Sequence, residues 1–208
     1  MDFSKALSEL RKKNKKRNFD QTVDLIINLR DFDPRRETAN TSVILSHLNI
    51  RKKVCGFLEN ESKELDYAIT KAEIERLKPD EVKKMAKNYD FFIASAKLMP
   101  TIAAKFGKIL GIMGKMPDPK MGCVLMSESE PAIKEIVSRL HKTVKIRAKE
   151  SSIKTAIAKE SMPDNEIEEN ARAVLKAVTE ALPKKEFNIR SVMLKFTMSH
   201  PVKIKKEK

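Results

Sequence analysis

The residues able to do chemistry in this 208-residue chain collect at its two ends. Near the C-terminus, residues 191–197 alternate polar and apolar side chains and stop in Thr197, Met198, Ser199, His200 and Pro201. Small hydroxyl groups in that place add little to a core. They and the amides beside them can approach ribose hydroxyls and phosphates closely, where bulkier side chains would stand off. Near the start, RKKNKKRN (11–18) brings Lys16 and Arg17 up to Phe19. Lysine and arginine hold phosphates as a point charge and as a fork, and an exposed aromatic ring packs on a sugar or base. The same run also suits a solvated helix end, and Phe19 suits burial at the head of a strand. The chemistry on offer is non-covalent recognition of a polyanion.

Other chemistries find less support. GKILGIMGKMPDPKMG departs from a phosphate-binding loop, because Ile109 stands five residues before Gly114 and Met116 follows Lys115. Neither the backbone nest nor the magnesium-binding hydroxyl is supplied. A G-x-G-x-x-G fingerprint is missing, and GIMG satisfies only the four-residue G-x-x-G of a KH loop. His47, His141 and His200 share no ligand spacing with one another or with Cys55 and Cys123, so no metal or cofactor is expected. EIEEN (166–170) reads as the solvated face of a helix. No nucleophile has an activating neighbour, and the chain reads as a non-enzyme.

Charge supports this reading. Lys and Arg number 43 against 29 acidic residues, a net +14, and hydrophobic residues make up 41%, enough for a packed core. Nucleic acid is the leading partner class for such an excess, ahead of an anionic membrane surface. The excess is uneven: residues 1–58 carry +6, residues 143–208 carry +6, and the 84 residues between contribute +2. No apolar run nears the roughly 20 residues of a spanning helix, and the first residues lack a signal-peptide core, so a cytoplasmic location without membrane contact is expected. Two distant cysteines in a reducing compartment read as buried thiols.

The elements that must position these groups change style along the chain. Residues 4–17 read as an amphipathic helix. Residues 19–29 switch to period two, with Val23, Leu25, Ile27 and Leu29 inward and Thr22, Asp24, Ile26 and Asn28 outward. A polar loop, DFDPRRETAN, precedes a second strand, TSVILSHL. The middle alternates short strands (KKVCGFL, DFFIASA, CVLM) with helices near 72–77, 79–89, 99–110 and 130–142, the pattern of a small parallel α/β sheet. After it, TVKIRAKE and SSIKTAIAK suggest a hairpin. A helix with Asp164 as N-cap and Ile167, Ala171, Val174, Leu175 and Val178 as its buried stripe leads to a last strand over 188–198. There Val192, Leu194 and Phe196 face inward, and Ser191, Met193, Lys195 and Thr197 outward.

Three separated stretches, RNFDQTVDLIINLRDFDPRR, FFIASAKLMPTIAAKFGKILGIMGKMPDPKMG and SVMLKFTMSHPVKI, resemble the L-one family of large-subunit ribosomal proteins, particularly its archaeal branch. The resemblance implies an α/β fold of two domains. Residues 1–49 and 143–208 would form a discontinuous split β-α-β domain that binds rRNA, and residues 50–142 an inserted Rossmann-like domain. It implies a monomer within the ribosome, bound to large-subunit rRNA at the mobile stalk near the exit site, where it assists release of deacylated tRNA. Repression of its own mRNA is a further activity in the family, and a free repressor or RNA chaperone acting off the ribosome is the alternative. Carried over, the RNA face falls on Phe19, Thr22, Ser191, Thr197 and Met198. Lys16, Arg17, Asn28, Arg36, Lys195, Ser199 and His200 adjoin it. The family's closing T-M-G-P is interrupted here by Ser199 and His200, its L-P-H-G reads LSHL (45–48), its G-P-R-G reads GIMG, and a usual Val-Gly is replaced by Ala158 and Lys159.

This charge distribution predicts that RNA affinity falls with salt, log K dropping by roughly 0.7–0.9 per tenfold rise in salt for each phosphate neutralised. A salt titration of binding to an rRNA fragment checks it, and a flat response contradicts electrostatic docking.

Overall fold

The computed structural model describes residues 2–15, 17–37, 39–48, 50–60 and 62–204. Contacts divide the chain into two compact units, one of residues 1–49 with 142–208 and one of residues 50–141. In chain order the first elements are α1 (Phe3–Lys13), β1 (Thr22–Leu29), β2 (Asn40–Ile44), β3 (Val54–Phe57) and β4 (Tyr67–Ile69). They continue with α2 (Lys71–Arg76), α3 (Pro79–Asn88), β5 (Phe91–Ser95), α4 (Met99–Met113), β6 (Val124–Leu125) and α5 (Glu130–His141). The last are β7 (Thr143–Arg147), β8 (Ser152–Lys159), α6 (Asp164–Ala181), β9 (Ile189–Phe196) and β10 (Val202–Lys203). Among the described residues no helix is long and apolar enough to cross a membrane.

In the first unit a four-stranded antiparallel sheet runs in the order β10-β9-β1-β8. Both β8 and β9 are antiparallel to β1, so they run parallel to each other with β1 between them and α6 as their connection. Strict alternation in β1 buries Val23, Leu25, Ile27 and Leu29. Residues directly opposed in antiparallel strands share a face, so Leu25 lies beside Leu194 and Ile27 beside Val192. Against this apolar face pack α1, through Phe3, Leu7 and Leu10, and α6, through Ile167, Ala171, Val174 and Val178. The register of β1 with β8 slips between Val23 and Asp24, which lets both Ile157 and Ala158 of β8 point inward. The bulge leaves the Ile157 carbonyl to be met from elsewhere. Buried Asn170 of α6 meets it, its Nδ2 donating at 2.9 Å.

Several expectations change here. β7 and β8 do not form a hairpin: β7 pairs with β2 in a separate two-stranded sheet, and β8 pairs with β1. Both segments alternate suitably for pairing, but the four residues between them turn the chain onto two different partners. Pro163, not Asp164, occupies the N-cap of α6; Asp164 sits in the first turn, where its charge suits the helix dipole and Arg11 binds it. Leu175 is only half-buried, and Asn170 takes its place in the stripe. α1 stops at Lys13, short of the expected 17, and β2 covers only the first part of TSVILSHL. β10 forms where a plain basic tail was expected.

In the second unit the sheet is parallel, in the order β4-β3-β5-β6. Its central strands β3 and β5 are buried throughout because both faces are covered, so they read as continuous apolar runs. One layer gathers Phe57, Phe92, Val82, Ile102 and Phe106, with Phe57 and Phe92 stacked at 5.7 Å. The other gathers Val54, Leu58, Ile93, Leu125, Ile133 and Leu140. α4 runs to Met113, past the expected end at 110, and closes on Gly114 in the left-handed conformation (φ 66°). β4, unread in the sequence, adds a short edge. Cys55 and Cys123 are buried thiols, and burial pushes the Cys55 thiol up to about 12. Just beyond β3, the Glu128 carboxylate accepts from the amides of Glu59 (3.0 Å) and Asn60 (3.3 Å).

Replacing Asn170 by leucine keeps the side chain's size and strands the Ile157 carbonyl at the bulge. Denaturant unfolding is expected to show a loss of about 1–3 kcal/mol, whereas an unchanged midpoint would mean the carbonyl finds another donor.

Candidate nucleic-acid interface

The Thr22 end of the first unit's sheet is built from three connections. Residues 14–21 lead from α1 into β1, residues 160–163 lead from β8 to α6, and residues 197–201 turn from β9 to β10. Buried Gln21 ties them together. Its carbonyl accepts from Glu160 N–H at 2.7 Å, its Nε2 donates to Glu160 Oε2 at 3.0 Å, and its Oε1 accepts from Met198 N–H at 3.1 Å. Glu160 Oε1 accepts from Asn14 Nδ2 at 2.9 Å, so both carboxylate oxygens are satisfied by neutral amides. Asp20 accepts from the amide and hydroxyl of Ser161 at 3.0 and 2.9 Å. Arg11 fixes the same connection from α1, bonding Asp164 and the carbonyls of Glu160 and Met162.

On this frame stand the residues the sequence singled out. Phe19 is 53% exposed and Met198 60% exposed, so neither is spent on the core. Thr22 and Thr197 are locked together: Thr197 N–H donates to the Thr22 carbonyl and Thr22 N–H to Thr197 Oγ1, each at 3.1 Å. Ser199 turns back into its own strand end, its Oγ accepting from Phe196 N–H at 2.8 Å. Arg17 and His200 are exposed at the same end. Lys16 lies outside the described residues.

The other candidates lie elsewhere. From the Thr22 end toward the Leu29 end, the outward face of β1 presents Thr22, Asp24, Ile26 and Asn28. Lys195 sits opposite Asp24 on β9, one outward row in from the Thr22 end. Asn28 and Ser191 sit at the far end, in a chain across three strands: Asn28 Nδ2 donates to Ser191 Oγ, and Ser152 Oγ donates to Asn28 Oδ1, both at 3.0 Å. Arg36 follows the Leu29 end of β1 and is paired loosely with Asp33 at 3.8 Å. The structure therefore gathers Arg17, Phe19, Thr22, Thr197, Met198, Ser199 and His200, keeps Lys195 one row away, and places Asn28, Ser191 and Arg36 at the opposite end.

Lysines from neighbouring strands line the same face. Lys159 stands opposite Thr22 and donates to its Oγ1 at 3.2 Å; Lys154 stands opposite Ile26, and Lys203 opposite Met193. Asp24 is the one acid in the β1 rows, and partial burial holds its carboxyl above the ordinary carboxylate value while Lys195 pulls the other way. Gln21, Glu160 and Asn14 escaped the sequence reading. Their signal was faint, a glutamine just ahead of an alternating strand, and its meaning depends on a loop 139 residues away.

The whole is an α/β protein whose exposed sheet end combines basic, hydroxyl and aromatic groups over a hydrogen-bonded frame. A model of the ribosomal protein L1p/L10e family matches residues 10–200. Large ribosomal subunit protein uL1 from Pyrococcus abyssi is 36% identical over 96% of this chain and 94% of its own length. The protein of the same name from Methanocaldococcus jannaschii is 36% identical over 98% of this chain and 94% of its own, and that from Thermococcus kodakarensis 36% over 97% and 95%. The chain belongs to the ribosomal protein L1p/L10e family. It is accordingly a structural ribosomal component and not an enzyme.

Because burial raises the Asp24 carboxyl, its ionised form is disfavoured by folding. The penalty is absent below the ordinary carboxylate pKa, near 4, and grows as pH rises through the folded value. Asp24→Asn is therefore expected to raise the melting temperature at pH 7 and to leave it unchanged near pH 3. An equal gain at both pH values would show that charge is not the cause.

Proposed function

We propose that this protein binds large-subunit rRNA through the Thr22 end of the first unit's sheet, as a constituent of the large ribosomal subunit. In this reading the two units are a discontinuous split β-α-β rRNA-binding domain and an inserted Rossmann-like domain. The protein sits in the cytoplasm on the mobile stalk beside the exit site and assists release of deacylated tRNA. The same face would serve to bind a similar fold in its own mRNA and repress its translation.

The observation that carries the reading is the pinned turn after β9. Gln21 and Thr22 fix the backbone at Thr197 and Met198, while the Met198 and Phe19 side chains stay in solvent. A rigid backbone edge next to exposed apolar side chains, with Arg17 and Lys159 nearby, suits a folded RNA read through ribose, phosphate and an exposed base. Ser199 in place of a glycine is accommodated because its hydroxyl closes the turn from inside.

Phe19→Ala combined with Met198→Ala removes exposed side chains and leaves the hydrogen-bonded frame intact. Binding to a large-subunit rRNA fragment is expected to weaken by about 1–3 kcal/mol with an unchanged melting curve. Unaltered affinity in the folded double variant would take these residues out of the site. Crosslinking in purified ribosomes, with mapping of the linked peptides, tests the assignment to the large subunit directly; sedimentation away from that fraction would favour a repressor acting off the ribosome.

A further inference from the structure

The opposite end of the same sheet carries a second constructed corner that the proposed rRNA site does not use. Beyond α6 a short 3-10 turn, Lys185–Asn188, delivers the chain into β9 and leaves Phe187 75% exposed. An isolated exposed phenylalanine is ordinary, but this one is rigidly held. Asn188 is fully buried, and its side chain makes three hydrogen bonds that join its own turn to residues 30–31. Its Oδ1 accepts from Lys184 N–H at 2.7 Å, and its Nδ2 donates to the carbonyls of Arg30 and Asp31 at 3.0 and 3.1 Å. Arg30 completes the tie by donating from Nε to the Phe187 carbonyl at 2.7 Å and from its amide to the Asn188 carbonyl at 2.8 Å.

Two non-glycine residues at this corner hold left-handed backbone, Asp31 (φ 51°) and Lys185 (φ 49°). For lysine that conformation costs of order 1 kcal/mol and persists only where the surroundings impose it. The register also slips between Asn28 and Leu29, pushing Arg190 out as an extra residue on β9. The result is an aromatic ring presented on a stiff loop, with Arg30, Lys184, Lys185 and Arg190 exposed around it. Among the described residues, none of those four cations forms an ion pair. Asp31 and Glu186 offset only part of the charge.

We infer that this corner is a second RNA-binding site, taking an unpaired nucleotide. The base stacks on Phe187, and its flanking phosphates lie against Arg30, Lys185 and Arg190. Charge decides for RNA over an apolar protein partner, because a polyanion gains from four unpaired cations that a hydrophobic interface would have to desolvate. β1 is eight residues long, so the two ends of the sheet stand roughly 25 Å apart. That separation lets the corner engage a strand leaving a helix already docked at the Thr22 end, and makes the two sites separable by mutation.

The test uses the full chain and two probes: a labelled single-stranded oligouridine of about a dozen nucleotides, and a folded large-subunit rRNA fragment. Phe187→Ala is expected to weaken oligouridine binding on the order of tenfold, and Phe187→Tyr to preserve it. Lys185→Gly removes a charge while relieving the left-handed backbone, so a loss of oligouridine binding with an unchanged melting curve reports the lost charge. Met198→Ala is expected to spare oligouridine and to weaken the fragment. No oligouridine binding by the parent chain, or equal affinity in Phe187→Ala, overturns the inference. So does a dimer of the parent chain that Phe187→Ala converts to monomer, since the ring would then serve self-association. A failure confined to Met198→Ala on the fragment would instead count against the proposed rRNA site alone.

Discussion

The first unit depends on a strand that has no partner nearby in sequence. β1 is flanked by β8 and β9, and its closing contacts join Asn28 to Ser152, 124 residues on, and Thr22 to Thr197, 175 residues on. The nearby α1 covers only part of its apolar face, and α6 must supply the rest. The unit therefore exists only when the beginning and end of the chain meet. Loop closure is forgiving of length, each doubling costing about 0.6 kcal/mol, so a complete second unit can occupy the intervening chain if it builds its own core. It does so, with a sheet covered on both faces.

That constraint shapes the interface. Because β1 is central, the loops entering and leaving it lie beside loops from the far end of the chain, and they share hydrogen bonds. Gln21, Glu160 and Asp20 spend their polarity on this joinery, and Arg11 spends its charge there too. The basic run 11–18 is thus mixed in purpose. Arg11 is structural, Lys13 pairs with Glu9 along the helix, and Arg17 stands exposed next to Phe19. Net charge alone would have assigned all of them to the partner.

What could be read in advance was whatever depends on a residue and its near neighbours. Period two revealed both faces of β1 and β9, residue by residue, because alternation is a local property. Helical stripes did the same for α6, apart from the half-buried Leu175. Partner choice was not local: β7 and β8 each alternate well, yet nothing in either says that β2 and β1 are their neighbours. The short elements, β4 and β10, are too brief to carry a period. Buried amides such as Asn170 and Asn188 have meaning only through carbonyls brought to them by folding, one at a bulge and one between two loops. Phe187 passed unnoticed because its exposure is set by Asn188 rather than by its own surroundings in sequence.

The Glu128 contact has a consequence for the second unit. Parallel sheets of this kind receive phosphates in the crevice where strand order reverses, and in this sheet that place lies between the ends of β3 and β5. The amides of Glu59 and Asn60 open there, and a carboxylate from the same chain already occupies them. A tethered group competes at an effective concentration in the millimolar range, so a soluble nucleotide would face an occupant that dilution cannot remove. The crevice acts as a seam, fastening the approach to α5 onto the tip of β3.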